Sequence, residues 1–468
     1  MQNEDATATT GRPTVCVQGL GFVGAAMSVA TASARDAQGR PCFSVIGLDL
    51  GTPAGQQRID AVCRGEFPFA TTDPSLVAAA AKAHEAGNLR ATSDPSVIAT
   101  ADVVVVDVHL DVQTGANPPR ADLEPFRSAI RTVGEHLRPG ALVIVETTVP
   151  PGTCEWVVAP ELATAFRERG LPEDGFLLAH SYERVMPGEN YLDSITNFWR
   201  VYAGRTPEAA DACERFLAKI INVRDFPLTR LAQTTATETA KVMENSYRAA
   251  NIAFIDEWSH FATAVGIDLF EVIEAIRKRP THSNMRQPGF GVGGYCLTKD
   301  PLFPIVAAHQ LFGRGDLDFP FSRLATQTNA QMPLGTVDRT EKLLGTLEGK
   351  RLLLLGVSYR QDVADTRYSP SQIFVEEAQR RGATVVLADP LVSWWPELEL
   401  PVERELPPAV SVDAVIFAVP HREYRELDLE KWLGAATLAV LDANDVLNET
   451  QREAVEKADC PFAKIGRG

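Results

Sequence analysis

Apolar residues along this chain follow two patterns that divide it into three stretches. Through roughly the first two hundred positions, short apolar runs alternate with helix-like segments. Thr14–Gln18 (TVCVQ) is a β-rich run that stops at GLGFVG and leads into the small-residue helical stretch AAMSVATASA. Residues 43–50 (FSVIGLDL) predict a second strand ending on an acid. Residues 103–108 form a valine-rich run, as expected for a strand buried on both faces of a parallel sheet, and 141–145 (ALVIV) repeat the signal. The alternation predicts a doubly wound α/β domain over 1–205. From about 230 to 278 the apolar spacing changes to three and four, and helical signal resumes after a glycine-rich loop at 289–294. A second α/β run begins at 351–356 (RLLLLG), with strands at 384–388, 414–419 and 438–441. The expected fold is therefore α/β, with two Rossmann-like doubly wound domains, 1–205 and 336–468, joined by a central helical region at 206–335.

Length agrees with that division, since 468 residues exceed one ordinary core. Hydrophobic residues make up 45% and charged residues 23%, the profile of a soluble globular chain. The formal net charge of -16 opposes nucleic acid and anionic lipid, so neither is an expected partner. An anionic substrate must then be met by locally placed Arg and Lys. The polar leader MQNEDATATTGRP lacks the charged-then-apolar order of a signal peptide, and no apolar run reaches the roughly 18 residues of a membrane span. The expected location is cytoplasmic. The 7 cysteines are scattered and odd in number, without metal-ligand spacing, so neither a disulfide framework nor a metal site is expected.

Two glycine-rich segments carry the candidate chemistry. Gly19-Leu-Gly21-Phe22-Val23-Gly24 follows a predicted strand and opens a predicted helix, the context a dinucleotide fingerprint requires. Gly19 permits the tight turn, Gly21 lets the backbone approach a pyrophosphate, and Gly24 lets helix pack on strand. Asp49 closes the second strand, where its carboxylate can accept from both ribose hydroxyls and repel a 2′-phosphate, which favours NAD over NADP. The second segment is Gly289-Phe290-Gly291-Val-Gly293-Gly294-Tyr295-Cys296-Leu-Thr-Lys299-Asp300. Its glycines leave backbone amides able to approach a ligand closely. A helix beginning at the cysteine would use its amides and Lys299 to favour the thiolate, and would place Asp300 one turn on to handle a proton. A dehydrogenase with a nucleophilic cysteine suggests oxidation of an alcohol through aldehyde, thiohemiacetal and thioester to an acid, consuming two NAD.

Further motifs extend these two. They are Glu146-Thr-Thr148-Val-Pro-Pro-Gly152, Ser181-Tyr182-Glu183-Arg184-Val-Met-Pro187-Gly188, the helix-spaced Glu238, Lys241 and Asn245, and Gly349-Lys350 through Gly356, Tyr359-Arg360 and Asp365-Thr-Arg367. Together they resemble the UDP-glucose/GDP-mannose dehydrogenase family over nearly the whole chain. The resemblance implies an NAD-dependent oxidation of the C6 hydroxyl of a nucleotide-activated hexose, UDP-glucose or similar, with Cys296 as nucleophile. It implies that Lys241 and Asn245 stabilise the alkoxide and oxyanion, that Thr148 and Asp300 orient a water, and that Glu183 serves thioester hydrolysis. Phe22, Val23, Thr148, Lys299 and Arg367 would join Gly19, Gly21, Gly24 and Asp49 around the cofactor. Arg184, Arg286, Phe290, Gly291, Gly294, Tyr359 and Arg360 would join Lys241 and Asn245 around the substrate. The family further implies a homodimer through the central helices, with the nucleotide held by the C-terminal domain.

Departures cluster around the expected substrate and nicotinamide. Arg360 stands where the family usually has Lys, Tyr182 replaces a proline, His109-Leu110-Asp111 replaces Pro-Thr-Pro, and Tyr295 replaces Ser or His. The GVGGYC loop and Tyr-Glu-Arg segment lean towards UDP-N-acetylhexosamines, and the Lys-Asp after the cysteine leans towards UDP-glucose. A TDP-sugar, a two-electron dehydrogenase and a catalytically silent nucleotide-sugar-binding protein remain as alternatives.

Overall fold

The computed structural model describes residues 11–186 and 188–468; positions 1–10 of the polar leader, and Pro187 of the Ser181–Gly188 motif, lie outside the described residues. The chain divides into two compact units, one of residues 1–242 with 303–316 and the other of 243–302 with 317–468.

The first unit is built on an eight-stranded sheet. In chain order its strands are β1 Thr14–Gln18, β2 Ser44–Leu48, β3 Leu89–Thr92, β4 Val103–Val106, β5 Leu142–Val145, β6 Leu177–His180, β7 Val201–Gly204 and β8 Thr229–Arg230. They lie in the order β8-β7-β6-β5-β4-β1-β2-β3, all pairs parallel except β6 with β7. β4 and β5 are buried at every position, which is why they read as unbroken apolar runs. The strand expected over 103–108 stops at Val106, because the chain leaves the sheet at Asp107. Helices α1 (Phe22–Ser33) and α2 (Pro53–Cys63) follow β1 and β2. α1 buries nine of its residues, mostly small ones, against the sheet.

The second unit holds a five-stranded parallel sheet of β9 Arg351–Leu355, β10 Thr384–Ala388, β11 Ala414–Phe417, β12 Ala439–Asp442 and β13 Phe462–Lys464, in the order β10-β9-β11-β12-β13. Both sheets are thus of the expected Rossmann-like kind. The expected boundary near 205 falls inside the first unit, since the helix Pro207–Leu217 packs its Ala210, Cys213, Phe216 and Leu217 into that unit's core and β8 extends the sheet beyond it. Nor do the central helices form a third unit. Among the described residues, the buried apolar cluster that these helices form by themselves is Ile255, Ala262, Leu269 and Ile273 with Met285 packed against it, too little to stand alone. Instead the 32-residue helix α3 (Thr234–Val265) begins in the first unit and ends in the second.

In the second unit α3 exposes Met243, Tyr247, Phe254, Trp258, Phe261 and Val265. At about 100° per residue these six fall on one narrow stripe. No helix among the described residues is long and apolar enough to cross a membrane.

The turn after β9 shows how an acid can serve structure alone. Asp389, just beyond β10, accepts from the Val357 and Ser358 amides, the Ser358 hydroxyl and the Leu391 and Val392 amides. His421 accepts a hydrogen bond at Nδ1 from the Asp362 amide, which leaves Nε2 to donate to Asp389 at 3.2 Å. Burial works to raise the Asp389 pKa, but the His421 bond and the amides outweigh it and leave it below the ordinary carboxylate value. Asp389→Ala should cost at least about 3 kcal/mol, because several buried donors lose their acceptor. A depressed folded-state pKa also means that this stabilisation is in place above the unfolded carboxylate range and is lost as pH falls through the folded value. Thermal melts of wild type and variant should therefore lie far apart at pH 7 and converge in acid.

Candidate active site

The dinucleotide turn is shaped by close packing. Gly19 holds a φ of +97°, and a Cβ there would stand 2.5 Å from the Asp107 carbonyl oxygen. A Cβ on Gly24 would meet the Gly19 carbonyl at 1.9 Å, so only glycine lets α1 lie this close to β1. Gly21 differs, with nothing among the described residues within 4 Å of its Cβ position, and this open side is where a ligand can approach the backbone. α1 has no side-chain cap and no acid in its first turn, so its first amides remain available to an anion. Val23 is half-buried, while Phe22 stacks on Phe69 at 4.0 Å and accepts the Tyr191 hydroxyl at its carbonyl. Asp49 binds the Leu20 and Leu50 amides and, at 2.7 Å, Arg58 from α2. That fixes the carboxylate at the strand end with one acceptor direction left for a ribose. These features fit NAD. Arg58 escaped notice in the sequence because nothing near it marks a partner.

Three expected residues follow strands of the same sheet, Thr148 after β5 and Glu183 and Arg184 after β6, and a fourth, Lys241, stands on α3. Thr148 follows β5, half-buried. Its turn is anchored by the buried Glu238 of α3, whose carboxylate accepts from the Gly152 and Cys154 amides; burial, more than those bonds can offset, pushes Glu238 up to about 7. Lys241, one turn further along α3, is buried and donates to the Glu183 carbonyl at 2.7 Å and to its carboxylate at 3.2 Å. Arg184 binds the Trp199 carbonyl and the Tyr182 hydroxyl. Tyr182, the residue in place of the family's proline, is buried with its ring beneath both cations, 5.6 Å from Lys241 and 5.3 Å from Arg184. Of the other departures, Leu110 is buried and His109 exposed.

In the second unit α4 (Tyr295–Lys299) begins one residue before the cysteine, with Gly294 at φ +78° as its N-cap. Cys296 is exposed. Behind it Asp300 is buried, accepting from the Asn245 side-chain amide at 2.8 Å and pairing with Lys299 at 3.2 Å. Lys241 and Asn245, expected to aim at one oxygen, are therefore each anchored by a different carboxylate. The glycine loop also differs from expectation. Its glycines are needed for packing, since a Cβ on Gly293 or Gly294 would stand 2.8 Å from the Tyr359 side chain, and one on Gly291 2.5 Å from Pro370. Arg367 forks onto Asp365 and lies 4.5 Å over the Tyr295 ring. Burial, helped by Asp365 and by the Cys296 charge, pushes the Tyr359 phenol up to about 12. A cavity of about 330 Å³ is lined by Phe290, Gly291, Tyr359, Arg360, Pro370, Ala418–Pro420 and Asn444. Arg286 stands apart with Arg248 and Arg277, where burial and like charge lower its pKa. Ala418–Pro420 and Asn444 went unforeseen, because they follow ordinary strands and carry no motif.

The dinucleotide turn of the first unit, and the exposed cysteine and the cavity of about 330 Å³ in the second, are features of an NAD-dependent nucleotide-sugar dehydrogenase. Profiles of a single family match in order, the NAD binding domain over 13–221, the central domain over 235–331 and the UDP binding domain over 353–449. The chain belongs to the UDP-glucose/GDP-mannose dehydrogenase family. It is 28% identical over 459 residues (97% of this chain, 96% of the relative) to the UDP-N-acetyl-D-mannosamine dehydrogenase of Methanocaldococcus jannaschii. Its structure is similar to that of NDP-N-acetyl-D-galactosaminuronic acid dehydrogenase from Methanosarcina mazei, with a TM-score of 0.78, 27% identity and coverage of 98% and 96% of the two chains. It is also similar to a UDP-glucose dehydrogenase from Pyrobaculum islandicum, with a TM-score of 0.80, 25% identity and coverage of 98% and 99%.

Asp49→Ala is expected to weaken NAD binding by on the order of tenfold or more, since it removes the carboxylate at the end of β2 and frees Arg58. Titration calorimetry with NAD alone checks this, with an unchanged melting curve as control.

Proposed function

We propose that this enzyme oxidises the C6 alcohol of a UDP-N-acetylhexosamine to the carboxylate in two NAD-dependent steps, with Cys296 as nucleophile. The observation that carries this reading is the exposed Cys296 at the start of a helix whose next turn holds the buried Asp300–Asn245–Lys299 set. The N-acetyl sugar is favoured over UDP-glucose by the names of the relatives and by the GVGGYC loop and Tyr182-Glu183-Arg184 segment.

NAD held at Gly19, Gly21, Gly24 and Asp49, with Phe22, Val23, Thr148, Lys299 and Arg367 assigned nearby, supplies the hydride acceptor for both oxidations, alcohol to aldehyde and thiohemiacetal to thioester. Lys241 and Asn245 hold O6 by charge and hydrogen bond while it is an alkoxide and again while it is the oxyanion of the cysteine adduct. The Cys296 thiolate forms the C–S bond at the aldehyde carbon and leaves as thiolate when water cleaves the thioester. Thr148 and Asp300 orient the water that takes the first proton. Glu183, with its carboxylate against Lys241, takes the proton of the hydrolytic water. Tyr359, Arg360, Phe290, Gly291 and Gly294 are assigned to the nucleotide and sugar, together with Arg184 and Arg286.

Two NADH per sugar are expected with UDP-N-acetylmannosamine or UDP-N-acetylgalactosamine, and fewer turnovers with UDP-glucose or TDP-glucose. Cys296→Ser should stall at the adduct and lose at least about a thousandfold in steady-state rate. One NADH per sugar, unchanged by that substitution, would leave only a two-electron alcohol oxidation.

We further assign the α3 stripe to a homodimer interface, because six large apolar side chains on one helical face are more than a monomer ordinarily leaves in water. Light scattering should give about twice the 50.9 kDa chain mass for wild type. With Trp258→Glu and Phe261→Glu combined, it should give the single-chain mass.

A further inference from the structure

Asp107 closes β4, the strand beside β1, at the point where the strand order of the first sheet reverses. Its main chain presses on the dinucleotide turn, and its Cβ would lie 3.0 Å from a Cβ on Gly24. Both of its carboxyl oxygens are shut off from solvent, and neither has a hydrogen-bond partner among the described residues. An ionised carboxylate in such a place is costly unless a cation meets it.

The surrounding cations are engaged elsewhere. Arg200, which precedes β7, is ion-paired with Glu146 at the end of β5 and bonded to Ser181. Lys241 is paired with Glu183. His180 of β6 is buried, bonded to Thr237 through Nδ1, and burial lowers it to about 3, so it stays neutral. This interior therefore holds three carboxyls, Asp107, Glu146 and Glu183, against two cations. Among the described residues Asp107 is the one of the three that forms neither an ion pair nor a hydrogen bond, although the Arg200 charge reaches it.

We propose that Asp107 is a positioning residue for the oxidation assigned above, a neutral carboxylic acid at the switch point of the sheet that spares Glu183 a second negative charge. This role rests on Glu183 acting as the base of thioester hydrolysis. Burial first, and the Glu183 charge second, push Asp107 up to about 8, with Arg200 pulling the other way. While Asp107 keeps its proton, the Glu183 carboxylate faces Lys241 with no second negative charge from Asp107. When Asp107 ionises, a second negative charge enters beside Glu183 and opposes the Lys241 field that is needed at O6.

The test is infrared pH-difference spectroscopy on the full-length enzyme without substrate, joined to a pH profile. In wild type, the carbonyl stretch of a protonated carboxyl should disappear with a midpoint near pH 8, and Asp107→Asn should lack that band. Glu238 contributes its own band about a unit lower in both enzymes. Turnover at saturating substrates should fall about tenfold between pH 7 and pH 9 in wild type, the factor set by one group titrating at about 8. In Asp107→Asn it should change less than about twofold, with the wild-type kcat at pH 7 and unaltered KM values. Survival of the pH 8 band in Asp107→Asn would overturn the proposal. So would a folded Asp107→Asn enzyme that binds NAD but has lost turnover at pH 7, since the ionised carboxylate would then be required. Should the variant not fold, wild type alone decides, because the absence of any carboxyl band with that midpoint overturns it. Failure of the thioester reading would show instead in the Cys296→Ser stoichiometry and leave the infrared titration untouched.

Discussion

Lys241 and Lys299 both carry ammonium groups into surroundings with almost no access to water, and each finds a carboxylate there, Glu183 for one and Asp300 for the other. Neither half of such a pair can be buried alone. The loops that bear these groups are therefore held by the charges themselves. Glu183 reaches Lys241 through its own carbonyl as well as its carboxylate, which fixes the chain after β6 against α3. Asp300 ties Asn245 of α3 to the helix carrying Cys296. The groups assigned to chemistry are thus also the groups that set the local backbone, and a substitution at any of them disturbs both.

Tyr182 belongs to the same scheme. A proline there could not do what the ring does, which is to lie under Lys241 and Arg184 and donate surface to both. The departure from the family pattern replaces a rigid turn with a cation platform, and Arg184 gains the Tyr182 hydroxyl as an acceptor. Tyr295 is used in a similar way in the other unit, where Arg367 stacks on it and Tyr368 meets it edge-on at 5.0 Å.

Much of this was legible in the sequence, for local reasons. β4, β5 and, after Arg351, β9 are unbroken Val, Leu and Ile runs, and GLGFVG stands between a strand and a helix as its chemistry requires. What was hidden depends on packing between distant segments. Asp107 looks like the polar end of a strand until Glu146, Glu183 and Arg200 are brought beside it. The glycines at 291, 293 and 294 read as ligand-facing until Tyr359 and Pro370, more than 60 positions on, fill the space a side chain would need. The boundary near 205 misled because a change of pattern in sequence is not a change of core.

Asp49 and Asp389 stand at the same place in two sheets of the same kind, each just beyond the second strand and each accepting an amide from the turn after the first. Asp49 keeps an acceptor direction to spare at the edge of its unit. Asp389 spends all of its capacity inward, on five protein donors and a histidine. One architecture has therefore been specialised twice, as a receptor in the first half and as a rivet in the second. An engineer who wished to graft dinucleotide binding onto the C-terminal half would have to dismantle that rivet before adding any ligand contact, and would lose the turn it holds.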